Sequence, residues 1–204
     1  DKAKKSFKNI LNMEPRNGLI WAEYGTVLTK LANYEESKDA YLKALDFKSD
    51  SPRVHLSLGH VYKTMGEIEN SIDSYKNTIV QNKLSGEAYW SLANLKTYSF
   101  SEKEIKVMEE TLKADMSDIE RSQMHFALGK AYEVKKDFDS SFNNYFKGNE
   151  LKKGLTKYSS DDTTDNTKRI LDFFNLENIR DFQKSLTVNQ DPIFVLGMPR
   201  SGST

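Results

Sequence analysis

A repeat with a period of about 34 residues constrains the fold of this chain more than any other feature of its sequence. The repeat is first visible in small residues: Gly25 and Gly59 are 34 residues apart, Gly59 and Ala93 are 34 apart, and Ala93 and Gly129 are 36 apart. A period in this range is typical of repeat architectures, in which each unit is one supersecondary element. Rings occupy the position four residues before each small residue, at Trp21, His55, Tyr89 and His125.

The apolar residues within each period predict two successive amphipathic helices. Their offsets place apolar groups on one stripe of each helix, with glycine or alanine where the two helices come closest. A single helical hairpin cannot bury its own stripe, so neighbouring hairpins must stack. We therefore predict an all-α fold, a right-handed superhelix of helical hairpins with a concave surface. The recurring positions include Tyr24, Leu58, Leu92 and Leu128, then Tyr34, Ile68 and Phe138, and finally Tyr41, Tyr75 and Tyr145.

Three of the repeats resemble a known family. The segments WAEYGTVL, HLSLGHVY and HFALGKAY are similar to the W-x2-(L/Y)-G-x2-Y pattern of tetratricopeptide repeats. The resemblance covers about three quarters of the chain and implies tetratricopeptide repeats over residues 1–153, with a partial repeat at 1–17 followed by about four repeats. The third repeat is irregular, because Lys96 and Glu109 stand where the others carry larger apolar or aromatic groups.

The resemblance also implies a concave groove that binds a protein or peptide partner. A cluster of cations there would suit an acidic peptide or a chain terminus, but long polar side chains are equally common on a solvated helix face. Both interpretations stay open at this point. The implied groove residues are Lys30, Arg53, His60, Lys63, Asn94 and Lys130.

The composition argues against several classes of function. Lys and Arg together number 30, as do Asp and Glu, so no net field attracts nucleic acid or an anionic membrane to the whole molecule. There is no cysteine, which removes disulfides and zinc–thiolate sites. The three histidines stand apart, and His55 and His125 share a packing position with aromatic residues, so we expect no metal site. The aromatic residues recur at packing positions without a basic stripe between them, so we expect no nucleic-acid binding.

The beginning of the chain gives a weaker indication of localisation. Residues 1–10 lack the apolar core and cleavage site of a signal peptide, and no apolar stretch approaches the roughly 20 residues that span a bilayer. We therefore expect a cytoplasmic protein that does not bind membranes. Because the first residue is Asp1 rather than Met, we also expect that an upstream segment is missing.

Residues 154–190 are predicted to form a helical connector. The segment LTKYSSDDTTDNTKR is polar, whereas RILDFFNLENIRDFQKSL restores apolar residues at helical spacing. Several possible N-cap residues lie between Ser159 and Thr164. Asp161 and Asp162 are therefore interpreted as residues of a helix start rather than of a metal site.

Residues 191–204 predict a strand followed by a phosphate-binding loop. Four consecutive apolar residues, 193–196, are typical of a strand buried on both faces of a parallel sheet. Gly197 and Gly202 then have the spacing of the G-x4-G-K-S/T nucleotide loop, but Ser203 stands where that loop needs lysine. The basic residue is Arg200, inside the loop. Backbone N–H groups, hydroxyls and one guanidinium suit a 5′-phosphate better than metal-assisted triphosphate chemistry.

The strand and its PRSGST loop resemble the 5′-phosphosulfate-binding loop of sulfotransferases that use 3′-phosphoadenylyl sulfate (PAPS). Repeats, a helical connector and this loop, in that order, are similar to the bacterial tetratricopeptide-repeat sulfotransferases. The resemblance implies PAPS as sulfuryl donor without a metal, and a catalytic role for Arg200. The implied donor-binding residues are Pro199, Arg200, Ser201, Gly202, Ser203 and Thr204.

Residues 191–204 would then be the start of a P-loop sulfotransferase domain. On this interpretation the chain is a fragment cut at both ends and inactive alone, since the family's base and 3′-phosphate site lie further downstream. The alternative is an interaction scaffold with an appended kinase-like or degenerate nucleotide-binding domain. The sulfuryl acceptor is not specified by these residues.

Overall fold

The computed structural model describes residues 2–47, 51–156, 159–175 and 177–180. The chain divides into two compact units, residues 1–157 and 158–204, and each is described by itself. The regular elements of the described residues are α-helical. They are α1 (Lys2–Met13), α2 (Gly18–Lys30), α3 (Tyr34–Asp46), α4 (Pro52–Met65), α5 (Ile68–Gln81), α6 (Gly86–Ala93), α7 (Glu102–Thr111), α8 (Asp118–Val134), α9 (Phe138–Leu155) and α10 (Ser160–Phe173).

The helix ends follow from local side-chain chemistry. The Ser51 hydroxyl accepts a hydrogen bond from the Val54 N–H at the start of α4, and a hydroxyl at this position satisfies a donor that the helix leaves free. The start of α7 is a capping box, in which Ser101 and Glu104 each accept from the other's backbone N–H. Gly66 ends α4 with φ of 82°, a left-handed conformation that costs glycine little.

Three pairs of helices in the first unit pack as hairpins, α2 with α3, α4 with α5, and α8 with α9. In each pair a tyrosine ring lies directly on the backbone of a glycine, and a Cβ on Gly59 would come within 2.6 Å of the Tyr75 ring. The corresponding distance is 2.9 Å at both Gly25 and Gly129. The periodic glycines are therefore required by close approach of the two helices.

A buried serine completes this contact in each of the three hairpins. The hydroxyls of Ser37, Ser71 and Ser141 donate to the carbonyl oxygens of Gly25, Gly59 and Gly129 at 2.8, 2.9 and 2.8 Å. All three serines are buried, so the hydrogen bond satisfies a hydroxyl that would otherwise be costly there. Glycine, serine and tyrosine at offsets of 0, 12 and 16 residues thus form one repeated packing unit.

The third repeat lacks this unit and packs differently. At the same offsets from Ala93 it carries Ile105 and Glu109. Among the described helices, α6 packs closely against α8 and makes no comparable contact with α7. Gly86, at the start of α6, lies so near α8 that a Cβ there would be 2.1 Å from the Glu120 carbonyl oxygen. The third repeat is therefore irregular, as predicted from Lys96 and Glu109: its first helix, α6, packs against α8 instead of α7.

The core of the first unit lies between successive hairpins. Tyr75 and Leu92 are completely or almost completely buried in its largest cluster, which joins α5, α6 and α8 with α7. Smaller clusters form around Tyr41 and Val54, and around Leu28. Most of the predicted packing positions thus lie in the interior of the fold, but Phe138 is 66% exposed, so the prediction is wrong at that position.

In the second unit, α10 begins at Ser160 after Ser159, whose hydroxyl accepts from the Asp162 N–H at 3.1 Å. Asp161 and Asp162 lie in the first turn, which confirms their interpretation as residues of a helix start. Apolar side chains of this unit are exposed, among them Ile170, Leu171, Phe173 and Phe174.

The predicted strand and phosphate-binding loop, residues 191–204, lie outside the described residues, as does the connector beyond residue 180. Within the part of the chain that the structure describes, no helix combines the length and the apolar character needed to cross a bilayer.

Candidate functional site

A cavity of about 370 Å³ lies between α2 and α4, the first helices of two neighbouring hairpins. Its apolar lining comes from Leu19 and Ala22 on α2 and from Val54 on α4. Arg53, a predicted groove residue, is part of the wall. The polar lining consists of Glu23, Thr26, Tyr41, Ser51, Arg53 and Ser57.

Arg53 and Glu23 give this cavity charges of both signs. The Arg53 guanidinium lies 3.5 Å from a Glu23 carboxylate oxygen, and the two side chains are 73% and 53% exposed. An exposed ion pair of this kind contributes only about 0–1 kcal/mol. A ligand can therefore replace either partner at little cost. The cavity offers the Arg53 guanidinium as a hydrogen-bond donor and the Glu23 carboxylate as an acceptor.

His60 occupies the next position along the groove and is held at both ring nitrogens. The Tyr75 hydroxyl lies 2.8 Å from Nδ1, and a Glu87 carboxylate oxygen lies 3.3 Å from Nε2. A carboxylate only accepts, so the neutral ring donates Nε2–H to Glu87 and accepts the Tyr75 hydroxyl at Nδ1. The hydrogen bond from His60 is the main cause that lowers the pKa of Glu87. The ring thus connects α4, α5 and α6 with a fixed orientation.

Thr26, one period before His60, also forms a hydrogen bond with the tyrosine hydroxyl of its hairpin. Its hydroxyl donates to the Ala22 carbonyl oxygen at 3.2 Å and accepts from the Tyr41 hydroxyl at 3.1 Å. In both repeats the residue after the periodic glycine therefore receives the tyrosine hydroxyl. This links the groove surface to the buried packing contact.

Asn94 and Lys130 lie in the later repeats and are engaged locally. The Asn94 amide donates to the Trp90 carbonyl oxygen at 2.9 Å. Lys130 lies 3.0 Å from Glu133 and is the first cause that lowers the pKa of that carboxyl. Lys130 lines a separate cavity of about 190 Å³, formed with residues of the 93–100 segment and the end of α8. The structure does not bring Lys130 and Arg53 into one cavity.

Lys30 and Lys63 lie in the last turns of α2 and α4. Both are exposed and make no ion pair within the described part of the chain. A cation in the last turn interacts favourably with the helix dipole, and this structural role does not need a ligand. Their role in partner binding stays a prediction.

The sequence prediction missed Leu19, Glu23, Thr26 and Glu87. The signal that could have found most of them is the period itself, since Leu19, Arg53 and Glu87 share one repeat position and Thr26, His60 and Asn94 share another. The prediction named Arg53, His60 and Asn94 at these positions, and it left out Glu23 and Glu87, the carboxylates that pair with Arg53 and His60.

The predicted donor-binding residues are not part of this geometry. The described residues end at Arg180, so the loop lies outside them and its assignment stays a prediction. It comprises Pro199, Arg200, Ser201, Gly202, Ser203 and Thr204.

Comparison with known proteins identifies the repeats. Residues 25–66 match the family model described as TPR repeat, that is, tetratricopeptide repeat. An uncharacterized protein of Aquifex aeolicus (strain VF5) is 27% identical over 212 aligned residues, which include all of this chain. The chain spans only 26% of the length of that relative.

Solved structures show the same fold. The crystal structure of MamA superposes with a TM-score of 0.60 at 20% identity, over 76% of this chain and 90% of MamA. YrrB, described as a TPR protein with an unusual peptide-binding site, superposes with a TM-score of 0.57 at 16% identity, over 74% of this chain and 76% of YrrB. Residues 25–66 therefore carry a tetratricopeptide repeat, and the described residues of the first unit have the helical fold of tetratricopeptide-repeat proteins.

Proposed function

We propose that the repeat region is a protein-interaction module that binds an extended peptide of a partner along α2, α4 and α6. The observation that carries this proposal is the cavity between α2 and α4, which has an apolar floor and a weakly paired Arg53–Glu23 wall. The fold likeness to YrrB, which has a peptide-binding site, supports it. Concave surfaces of stacked helical hairpins are suited to extended ligands.

The chemistry of the cavity indicates which peptide groups it accepts. Leu19 and Val54 provide contacts for one apolar side chain of the peptide, while Ser57 offers a hydroxyl to its backbone. An acidic peptide side chain would pair with Arg53 and displace Glu23, and a basic one would do the reverse. We therefore expect peptides that carry an apolar anchor residue beside a charged residue. An acidic residue is favoured at the charged position, because its carboxylate can form two parallel hydrogen bonds with the Arg53 guanidinium.

Selection from a displayed random-peptide library tests this function, followed by fluorescence anisotropy on the recovered peptides. Arg53→Ala should weaken an acidic peptide by about tenfold or more, because a hydrogen bond to a charged group contributes roughly 1.5–3 kcal/mol. Arg169→Ala, an exposed arginine of α10 outside the repeats, is the matched control and should bind unchanged.

A charge exchange makes the test sharper. The double variant Glu23→Arg with Arg53→Glu keeps both charges but exchanges their positions, so the library should yield peptides of reversed charge order. Recovery of the same peptides by both proteins, or no saturable binding to either, would contradict the proposed groove.

We propose further that the repeats belong to a PAPS-dependent sulfotransferase and recruit its acceptor. The observation that favours this is the PRSGST sequence, residues 199–204, which follows the apolar residues 193–196 after Gly197 and Met198. Ser201 and Thr204 would hold the 5′-phosphate of the donor, and PAPS supplies the sulfuryl group. Arg200 would balance the charge of that phosphate and the charge that develops as the group leaves.

The full-length protein is needed to test the sulfotransferase. Arg200→Ala should lower sulfuryl transfer by on the order of 10²–10³, the usual loss for one preorganised donor. Arg200→Lys should restore it only in part, because a point charge cannot reproduce the planar fork. Magnesium-dependent binding of a nucleoside triphosphate, without binding of adenosine 3′,5′-bisphosphate, would instead support the kinase-like alternative.

A further inference from the structure

The irregular third repeat encloses a second cavity of about 370 Å³, between α5, α6 and α7. In this repeat α6 packs on α8 instead of α7, so α7 does not close the space beside α5. The apolar lining is supplied by Ile79, Val80, Leu92, Phe100 and Val107. The volume lies at the lower end of the range of small-molecule sites.

This cavity is lined by a tyrosine whose buried hydroxyl has no partner among the described residues. Tyr89 lines it and is only 3% exposed, yet its hydroxyl makes no hydrogen bond to any residue that the structure describes. Burial raises the pKa of Tyr89 to about 12, and the nearby Glu104 charge adds to this. The hydroxyl is therefore a neutral donor, and a buried donor of this kind usually has an acceptor.

The charged residues of the cavity wall favour an anion. They are Lys76, Lys103 and Glu104, two ammonium groups against one carboxylate. Glu104 is already engaged, since one of its oxygens accepts from the Tyr98 hydroxyl and the other accepts from the Ser101 N–H and hydroxyl at 2.8 and 2.7 Å. Lys76 lies 5.1 Å from the centroid of the Tyr98 ring, and its charge also acts on Glu104. Lys103 is therefore the cation of this wall whose charge is left for a ligand.

We propose that this cavity binds a small amphipathic carboxylate. The apolar body of the ligand contacts Ile79, Leu92 and Phe100, and its carboxylate accepts the Tyr89 hydroxyl and pairs with the Lys103 ammonium group. A purely apolar molecule would leave the hydroxyl unsatisfied, and a cation would be repelled by Lys103. This site is separate from the peptide groove, and it does not depend on the proposed function.

Isothermal titration calorimetry on the 204-residue chain tests the site, with octanoate as the probe and octylamine and octanol as its charge controls. We expect saturable octanoate binding, and octylamine should bind at least about tenfold more weakly. Tyr89→Phe should weaken octanoate by about tenfold, the loss expected for one hydrogen bond to a charged acceptor. Lys103→Gln should reduce both the affinity and its dependence on salt.

Tyr24→Phe is the matched control for the loss of a hydroxyl. The Tyr24 hydroxyl is also buried without a partner among the described residues, but it belongs to the cluster around Leu28 and does not line this cavity. Its loss should leave octanoate binding unchanged. Both tyrosine variants keep the ring, so their helical circular dichroism should equal that of the parent chain.

Three outcomes would overturn the proposal. They are the absence of saturable octanoate binding, equal affinity for octylamine or octanol, and equal loss of octanoate affinity in Tyr24→Phe and Tyr89→Phe.

Discussion

Replacement of Gly59 by alanine tests whether the repeated glycine is a packing requirement or a remnant of the repeat pattern. The new Cβ would lie 2.6 Å from Cε1 and 2.7 Å from Cδ1 of Tyr75. The ring cannot move aside easily, because Tyr75 is fully buried and its hydroxyl is hydrogen-bonded to His60 at 2.8 Å. Overpacking a tight site costs about 1–3 kcal/mol. The better helix propensity of alanine returns about 0.5–1 kcal/mol.

The net expectation is a loss of up to about 2.5 kcal/mol in the free energy of unfolding. Gly154→Ala is the matched control, since Gly154 lies in α9 with nothing within 4 Å of an added Cβ. That variant should be as stable as the parent chain or slightly more stable. Urea unfolding followed by helical circular dichroism measures both, compared at their midpoints. The packing argument is refuted if Gly59→Ala unfolds at the same urea concentration as Gly154→Ala.

Three further predictions concern other parts of the fold. Tyr24→Phe removes a buried hydroxyl that has no partner among the described residues, so its thermal midpoint should rise, by an amount equivalent to about 1 kcal/mol or more. Because the pKa of Glu87 is lowered, its carboxylate stabilises the fold at pH values above the ordinary carboxyl pKa, and this contribution is lost as the pH falls through the lowered pKa. In an acid titration between about pH 5 and pH 3, the free energy of unfolding of Glu87→Gln should therefore decrease less than that of the parent chain. A chain shortened after Thr156 should keep its helical signal and cooperative melting, because α1 to α9 pack within their own unit; loss of helix on this truncation would contradict that.

The helical hairpins could be predicted from the sequence because their cause is periodic. The spacing of Gly25, Gly59 and Gly129 directly reports the places where a tyrosine ring meets a backbone. The partner of each contact stands at a fixed offset, so one repeat predicts the next. The start of α10 was predictable for a different reason, since the Ser159 cap depends only on residues within one turn.

The groove was predicted less completely. The family resemblance implied that Arg53 and His60 line the groove, but it did not reveal that Glu23 and Glu87 lie beside them on α2 and α6. Such pairs join residues about 30 positions apart, and their distance depends on how far the hairpins rotate against each other. The residues implied by the family resemblance therefore describe a more basic groove than the one that the helices form.

The third repeat shows how loss of the packing unit creates a site. A serine at position 105 would donate to the carbonyl of residue 93, and a tyrosine at 109 would cover it, as in the other hairpins. Ile105 has no hydroxyl to donate, and Glu109 cannot pack as a ring; instead Glu109 accepts a hydrogen bond from the Tyr132 hydroxyl of α8 at 2.5 Å. With neither contact available, α6 packs on α8, and the space between α5 and α7 remains open with Tyr89 in its wall. Restoring both residues, Ile105→Ser with Glu109→Tyr, should draw α7 toward α6 and remove octanoate binding without loss of helix. If the double variant binds octanoate as the parent chain does, the cavity does not arise from the missing packing unit.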